Sequence, residues 1–454
     1  MAWTINNGKL YFNSVLYTGN GGTQSITGVG FQPNWTWLKA RNEAASHELF
    51  DANRGVTKTI NSNTNNAEAT QTDSLTAFGS DGFTLGSNGD INYNNSTYVG
   101  WNWLGGGTAP AQTYSVKVVS DSGNKYRFDD FGTSAVTLEI SEGGTFTFDQ
   151  SDSSNNGHPL RFATQADAAN SSQYTTGVTT NGTPGQAGAY TRITVAASAP
   201  TLFYYCTNHS GMGGQANTNT TFGSSNFSGS IQSKVSANTT AGFSIIKYSG
   251  TGSNATIGHG LGVKPGAVFF KRLDTTGGWA SYHSVLGATK YMRLDSNSGE
   301  QTASDEFQNT EPTSSVISIG TDGAVNGNSM VSYCFAEKQG YSKFGSYVGN
   351  GSTDGTFIYT GFKPAFVLIK KSSGSASWMM YDNARDPDNV AGNYLYANES
   401  AAAQTASQGM DFLSNGIKMT NTFGDANESG QTYIYLAFAE NPFVGSDGTP
   451  VTAR

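Results

Sequence analysis

A pattern that recurs three times constrains this fold more than any other feature of the chain. Each copy opens with a Tyr-x-Gly-x-Gly motif, continues with a strand-like segment marked by a proline, and closes with an alternating apolar segment. The tyrosine and the proline are 16, 17 and 17 residues apart, and such regular spacing indicates one small unit used three times. The openings are Tyr17, Tyr248 and Tyr347, the prolines are Pro33, Pro265 and Pro364, and the closing segments are 98–103, 330–335 and 433–438.

Short strands fill these copies. Runs of Val, Ile, Thr, Tyr and Phe end at Gly, Asn or Asp, which is typical of strands joined by tight turns. Charged residues make up only 13% of the chain, so the helix-forming residues Glu, Lys and Arg are scarce. We therefore predict an all-β chain built from multiple antiparallel β-sandwiches, three of which are related repeats.

The spacing also predicts the limits of each unit. A segment without the repeated pattern separates the first copy from the second, after a glycine-rich linker at 105–110. Alternating segments across this insert predict that it too is built from strands. The predicted units are three related sandwiches at 1–108, 242–340 and 341–446, an insert at 112–235 and a C-terminal tail at 447–454.

The insert contains a stretch whose residue types indicate a specific chemistry. Cys206, His209 and Met212 lie within one short turn, and His158 stands in an earlier strand-like segment. A thiolate, two imidazoles and a weakly bound thioether are the ligand set of a mononuclear blue-copper site. The two residues between Cys206 and His209 allow one turn to present sulfur and imidazole to the same ion. The alternative is that the site stays empty, or that these side chains only pack and form hydrogen bonds.

Over most of its length the insert resembles the cupredoxin family. The resemblance rests on a Thr-Phe-Thr-Phe segment leading to His158, on the aromatic strand that ends at Cys206, and on the Cys-x-x-His-x-x-Met loop. It implies one Greek-key domain in which His158, Cys206 and His209 are equatorial ligands and Met212 is the long axial ligand. It also implies copper as the one cofactor, although zinc could occupy the same ligands.

Two departures from the family concern this site. Pro159 stands where the family commonly has an asparagine that ties the ligand loops together, so we expect that tie to be lost or moved. Gly213 and Gly214 follow Met212 and predict a loose loop. Electron transfer is not the expected role, because the flanking repeats supply no redox partner.

Simpler expectations apply to the other candidate residues. Cys334 is predicted to be a buried thiol that is not bonded to Cys206. Three histidines have no ligand-spaced neighbours and are predicted at the surface or at strand ends; these are His47, His259 and His283. Four tryptophans could stack on sugars, but core packing is the favoured interpretation; these are Trp35, Trp37, Trp101 and Trp103.

Charge and motifs argue against several functions. The net charge of −8 argues against nucleic-acid binding, which needs a basic face. The sequence contains no apolar run of membrane-spanning length and no signal-peptide pattern at its start, so we expect a product of the cytoplasm without membrane insertion. Pairs such as Asp51 with Asp73, or Asp382 with Asp386, are expected by chance among 33 acidic residues. The chain is therefore not expected to be an enzyme, and no catalytic residue is predicted.

The repeat itself resembles a domain common in structural proteins of marine tailed phages. The resemblance rests on the Tyr17 opening, on the segment 30–39 and on the segment Leu49–Lys58, and it extends to residues 157–162 and 204–214 of the insert. It implies a virion surface protein, assembled in the host cytoplasm as a fibre, an appendage or a capsid decoration, with its sandwiches linked like beads. Expected partners are other virion proteins, further copies of the chain and a host-surface glycan. The alternatives are a glycan-binding, lectin-like module and a copper protein with scaffold domains.

Overall fold

A computed structural model describes residue 5 and residues 7–106, 110–167, 172–218 and 221–442, so the predicted tail at 447–454 lies outside the described residues. Within these ranges the chain is all-β, as predicted, and its helical segments are only one turn long. None of the helices in the described ranges has the length and hydrophobicity of a membrane span. The α-helices are α1 (Gly89–Asn92), α2 (Ser304–Phe307) and α3 (Gly323–Asn326), and the 3-10 turns are Gly8–Leu10 and Ser153–Asn155.

The first repeat is an antiparallel sandwich. Its four-stranded sheet has the order β1-β9-β3-β4 and its three-stranded sheet the order β2-β8-β7. Leu38 and Phe83 belong to the small core between these sheets. The strands are β1 (Phe12–Thr18), β2 (Gln24–Ile26), β3 (Trp35–Ala40), β4 (Glu48–Asp51), β5 (Lys58–Thr59), β6 (Ala69–Thr70), β7 (Leu75–Gly79), β8 (Gly82–Leu85) and β9 (Thr97–Trp103).

The insert consists of two five-stranded sheets that share one core, with the orders β11-β10-β13-β17-β16 and β12-β19-β18-β14-β15. Two strand pairs, β10 with β13 and β12 with β19, are parallel, whereas the other strand pairs of the insert are antiparallel. Long connections between the paired strands permit this. The strands are β10 (Ala111–Ser120), β11 (Asn124–Phe128), β12 (Leu138–Glu139), β13 (Thr145–Asp149), β14 (Leu160–Ala163), β15 (Gln173–Tyr174), β16 (Val178–Asn181), β17 (Tyr190–Thr194), β18 (Leu202–Cys206) and β19 (Gly214–Asn217).

The second repeat contains an eight-stranded sheet, β20-β21-β22-β29-β24-β25-β26-β27, and a two-stranded sheet, β23-β28. Its first two strands precede residue 242, where the sequence predicts the repeat to begin. The strands are β20 (Ser224–Asn226), β21 (Ser233–Asn238), β22 (Phe243–Tyr248), β23 (Ala255–Gly258), β24 (Ala267–Arg272), β25 (Ala280–His283), β26 (Lys290–Arg293), β27 (Gln301–Thr302), β28 (Val316–Ile319) and β29 (Met330–Phe335).

The third repeat is one continuous sheet of eight strands, with the order β30-β37-β32-β33-β34-β35-β36-β31. Strand β31 stands at one end of this order. The strands are β30 (Ser342–Val348), β31 (Phe357–Tyr359), β32 (Phe362–Lys371), β33 (Met379–Asp382), β34 (Ala391–Tyr396), β35 (Gln404–Leu413), β36 (Gly416–Met419) and β37 (Thr432–Pro442).

A buried asparagine holds the opening motif of every repeat. In the first repeat Asn92 donates hydrogen bonds to the carbonyls of Gly22 and Gly86, over 2.6 and 2.7 Å. Tyr17 donates its hydroxyl to the carbonyl of the residue before Asn92, over 2.8 Å. The recurring tyrosine is therefore explained by the structure of this loop. Equivalent bonds are made by Asn326 with Tyr248 and by Asn427 with Tyr347.

The three repeats share one hydrophobic core and are not separate beads. Trp103, Phe335 and Phe438 occupy the same position in the three closing strands, and their rings contact one another. The centroid distances are 6.4, 5.5 and 5.6 Å, so the three strands surround an approximate threefold axis. Each such pair adds about 0.5–1.5 kcal/mol beyond area burial. The prediction that the four tryptophans pack in a core is confirmed, since each is at most 2% exposed.

Three rings at one shared position, the residue just before β4, β25 or β33, join the repeats further. Each ring donates an N–H group to a main-chain carbonyl of another repeat. The first repeat thereby binds the third, the second binds the first, and the third binds the second, which closes a cycle. The bonds run from His47 to Tyr396, from Trp279 to Asn61 and from Trp378 to Arg293, over 3.0, 2.8 and 2.9 Å.

His47, His259 and His283 lie at strand ends, which is one of the two predicted positions, but none lies at the surface, because these rings are 0%, 0% and 3% exposed. Each Nδ1 accepts a nearby N–H, and each Nε2 lies within 3.3 Å of a carbonyl oxygen. Burial lowers the pKa of all three rings, to about 4 for His283. The rings are therefore neutral at pH 7, with both nitrogens satisfied inside the protein.

One lysine of each repeat is fully buried at the same strand position. Lys39, Lys271 and Lys370 are 0% exposed. Their ammonium groups donate to carbonyl oxygens, including those of Ser400 in the third repeat, 3.2 Å from Lys39, and Asn297 in the second, 2.9 Å from Lys370. Burial lowers the pKa of all three side chains to about 8.

Candidate metal centre

Strand register brings the predicted ligands to one end of the insert. Strands β14 and β18 are antiparallel, and Leu160 lies opposite Cys206. His158 comes just before β14, Cys206 is the last residue of β18, and His209 stands in the turn that follows. The two ligand segments therefore meet at the same sheet end, although 48 residues separate His158 from Cys206.

Three of the predicted ligands form one cluster. The Cys206 sulfur lies 3.8 Å from Nδ1 of His158 and 3.7 Å from Nδ1 of His209. All three ligand atoms lie within 4.8 Å of one another, and within the described ranges this is the one such group of three His, Cys, Asp or Glu residues. The fourth predicted ligand, Met212, is 1% exposed and belongs to the same core cluster as Cys206.

These distances fit a metal ion between the ligands. Zinc lies about 2.3 Å from a thiolate and about 2.0–2.1 Å from an imidazole nitrogen, so a trigonal angle separates sulfur from nitrogen by about 3.8 Å. The observed 3.8 and 3.7 Å match that separation. A soft thiolate with two imidazoles suits copper or zinc rather than magnesium or calcium.

The predicted ligands differ in how far their side chains are buried. Cys206 is 3% exposed, His158 is half-buried and His209 is exposed, so the cluster is covered on the sulfur side and open on the side of His209. Burial, and secondly the neighbouring His209, lowers the pKa of His158. The ring of His158 is therefore neutral at pH 7, as a metal ligand must be.

The tie between the ligand loops has moved to the other loop. Asn208, which lies between Cys206 and His209, donates its side-chain amide to the carbonyl of Gly157 over 2.8 Å. The N–H of Thr207 also donates to the carbonyl of Pro159 over 3.2 Å. The tie that Pro159 cannot make is therefore not lost but moved, to Asn208.

Gln150 supports the main chain on both sides of Pro159. Its amide donates to the carbonyl of His158 over 2.9 Å, and its Oε1 accepts the N–H of Leu160 over 3.1 Å. The hydroxyl of Tyr126 donates to the same His158 carbonyl over 2.9 Å. Gln150 is 1% exposed. No local sequence pattern indicates its supporting role, because a glutamine directly after β13 indicates only a turn.

The loop after Met212 is tightly packed, so the prediction of a loose loop is wrong. A Cβ atom on Gly213 would lie 1.6 Å from the carbonyl oxygen of Tyr204. Glycine is required at this position because the returning chain passes directly over β18. The N–H of Gly211 is also fixed, by a 2.9 Å bond to the carboxylate of Asp167.

The other candidate residues belong to the framework. Both cysteines are free thiols, and burial raises the pKa of Cys334. Asp51 and Asp382 each form a buried ion pair with the arginine three residues later, Arg54 or Arg385.

Comparison with known proteins identifies one relationship. The model of the family described as Domain of unknown function (DUF7483) matches residues 7–129 and 163–442. The matched ranges include Cys206, His209 and Met212, whereas His158 lies in the unmatched stretch between them. No curated protein and no solved structure matches the chain. Because the match covers most of the sequence, the chain belongs to the DUF7483 family.

Proposed function

We propose that the insert binds one copper ion through His158, Cys206 and His209, with Met212 as the weak fourth ligand. The observation that carries this proposal is the pair of sulfur-to-nitrogen distances, 3.8 and 3.7 Å, which a trigonal site requires. Zinc is the competing ion for the same donors.

The role proposed for the site is structural. Copper, when bound, supplies thiolate and imidazole bonds that join the start of β14 to the loop after β18. The chain holds both segments in place beforehand through Asn208 and Gln150. A ligand that binds only the folded state stabilises it, by about 2.7 kcal/mol at a free concentration 100 times its Kd.

Titration of the purified protein with Cu(II) tests this proposal. We expect an intense thiolate-to-copper absorption band in the visible range and a bound stoichiometry of one. Cys206→Ala should abolish the band, whereas Cys334→Ala, which removes the other buried thiol, should retain it. A protein that stays colourless with Cu(II) and binds no zinc would contradict the proposal.

We also propose that the chain is a virion surface protein, a fibre, an appendage or a capsid decoration, assembled in the host cytoplasm. Its support is the resemblance of the repeats to phage structural domains, together with the shared core through which the three repeats pack against one another. Other virion proteins, further copies of the chain and a host-surface glycan are the proposed partners. Labelled antibodies on intact particles should mark the virion surface, and their absence from purified particles would contradict this role.

Glycan binding is the alternative to a purely architectural role. The four tryptophans considered as sugar platforms are buried, so a glycan would have to bind other side chains. A glycan array probed with the full-length protein separates the two roles, because an architectural protein retains no saccharide.

A further inference from the structure

The edge strand β31 differs from its counterparts in the other two repeats. Ile26, Ile257 and Ile358 are buried and occupy corresponding positions in three strands, β2, β23 and β31. The residues on either side of each isoleucine point away from that sandwich core. In the third repeat these residues are Phe357 and Tyr359, which are 47% and 59% exposed.

The corresponding edge strands of the first and second repeats are protected in two different ways. In the first repeat the flanking residues are Ser25 and Thr27, which are small and polar. In the second repeat the chain covers the edge itself, because the N–H of Ser230 donates to the carbonyl of Thr256 over 3.0 Å and Gly229 pairs with Ile257. The third repeat alone combines two large aromatic side chains with an end position in the sheet of described residues.

Hydrogen-bonding groups on this edge point outward. The carbonyl of Thr356 accepts the N–H of Met419 in β36, and the N–H of Thr360 donates to the carbonyl of Asn415 just before β36. Bonding alternates along an antiparallel strand. The N–H and C=O groups of Phe357 and Tyr359 therefore face away from β36. The segment 356–360 contains no proline and no charged residue, which are the usual means of protecting an exposed edge.

We propose that β31 pairs antiparallel with β31 of a second copy of this chain, about a twofold axis at Ile358. This register places Phe357 of one copy directly opposite Tyr359 of the other, twice, on the same outer face. Aromatic cross-strand pairs are among the favourable ones, and both outward main-chain groups gain partners. The surface is thus self-complementary, as a twofold interface requires.

This interface deepens the proposed role in a particle by naming the surface through which copies meet. It is independent of copper binding, and its failure can be distinguished from failure of the virion role. A protein that is monomeric in solution overturns the interface, whereas a protein absent from purified particles overturns the virion role.

Light scattering coupled to size exclusion tests the pairing. We expect the full-length protein to approach twice its 47.8 kDa mass as concentration rises. The double variant Phe357→Ser/Tyr359→Thr, which copies the first repeat, should remain monomeric at all concentrations. Tyr93→Thr, which removes a 60% exposed tyrosine elsewhere, should dimerise like the parent. A monomeric parent, or a double variant that still dimerises, overturns the proposal.

Two further measurements test the register and the occupant. An equimolar mixture of Phe357→Cys and Tyr359→Cys should form a disulfide-linked dimer on oxidation, because one cysteine pair faces across the interface while one aromatic pair is kept. Neither single variant alone should do so. In hydrogen exchange, the amides of residues 357 and 359 should exchange slowly in the dimer and rapidly in the Ser/Thr variant. Slow exchange of both amides in a monomeric parent would mean that another segment of the same chain covers the edge, and it would overturn pairing with a second copy.

Discussion

Tyr333 of the second repeat donates its hydroxyl to the carboxylate of Asp51 in the first repeat over 2.7 Å, and both groups are buried. The first and third repeats are joined in the same way, because the indole N–H of Trp101 donates to the carboxylate of Asp382 over 3.0 Å. In both junctions an arginine three residues after the aspartate balances its charge.

The contact between the third and second repeats at the corresponding position has no carboxylate. Leu436 occupies the position of Tyr333 and Trp101 and has no proton to donate. His283 stands where the other repeats have aspartate, and its ring bonds to the carbonyl of Tyr435 over 3.3 Å instead. A buried carboxylate is therefore present where the facing side chain can donate to it, and a neutral ring is present where it cannot.

Tyr333→Phe should lower the free energy of unfolding by about 1–3 kcal/mol, because a buried carboxylate oxygen loses a donor. Denaturant unfolding at pH 7 measures the change. Tyr93→Phe, which alters an exposed tyrosine, should stay within about 0.5 kcal/mol of the parent. Equal stability of the two variants would show that the bond between the repeats contributes nothing.

The buried lysines predict that stability rises with pH in the alkaline range. Their folded pKa values of about 8 lie below the value of the unfolded chain, so above pH 8 the unfolded state binds more protons. Below pH 8 both states are protonated and the cost of burying the charge is fully present. The gain by pH 9.5 is at most about 2 kcal/mol for each lysine.

Urea unfolding between pH 7 and 9.5 checks this expectation, because the buried tyrosines begin to oppose the trend only at higher pH. Lys271→Met should reduce the slope of stability against pH by about a third. Lys9→Met, at an exposed lysine, should leave the slope unchanged. A flat or falling stability curve in the parent would contradict the assignment of charged, buried lysines.

Asn208→Ala should weaken copper binding about 10- to 100-fold without unfolding the insert, because it removes the bond that holds the two ligand loops together. Competition with a chelator of known affinity measures the loss. The control is Asn181→Ala, which deletes a side-chain amide bond of 2.9 Å to Gly188, away from the ligands. Equal affinity of both variants would mean that Asn208 does not position the site.

Asn427→Ala should destabilise the protein by more than about 2 kcal/mol, because the buried amide satisfies several main-chain groups of the opening loop. Asn398→Ala, at a half-buried asparagine of the same repeat, is the comparison for a less connected amide. Differential scanning calorimetry of the two variants gives the ranking. A milder effect at Asn427 would contradict the importance of this loop.

Local patterns in the sequence were sufficient to predict the strands, the threefold repetition and the residues of the candidate ligand cluster, because these depend on spacing of a few residues. Cys206 and His209 share one turn, so their proximity follows from covalent structure. The bond between Trp101 and Asp382 joins residues 281 positions apart, and no local pattern indicates such a partner. The same reason explains why the sequence does not indicate the burial of His47, whose ring nitrogen bonds to the distant carbonyl of Tyr396.

The bond from Asn208 to Gly157 could not be predicted from the sequence for a different reason. The sequence shows that Pro159 lacks an N–H, but it does not show which neighbouring side chain can reach the opposite loop. Asn208 does so because the register of β14 and β18 places it beside Gly157. Which side chain takes over a missing bond depends on the register of the strands, and that register becomes known only with the structure.

The contact among Trp103, Phe335 and Phe438 has a consequence for biosynthesis. Translation at about 5–20 residues per second requires tens of seconds to pass from the first of these residues to the last. Until the third repeat is made, the tryptophan-bearing face of the first repeat lacks its contacts with Phe366 and Phe438 and is partly exposed to water. We expect the nascent chain to need protection by chaperones until the last repeat leaves the ribosome, and truncation within that repeat to cause aggregation rather than a shorter soluble product.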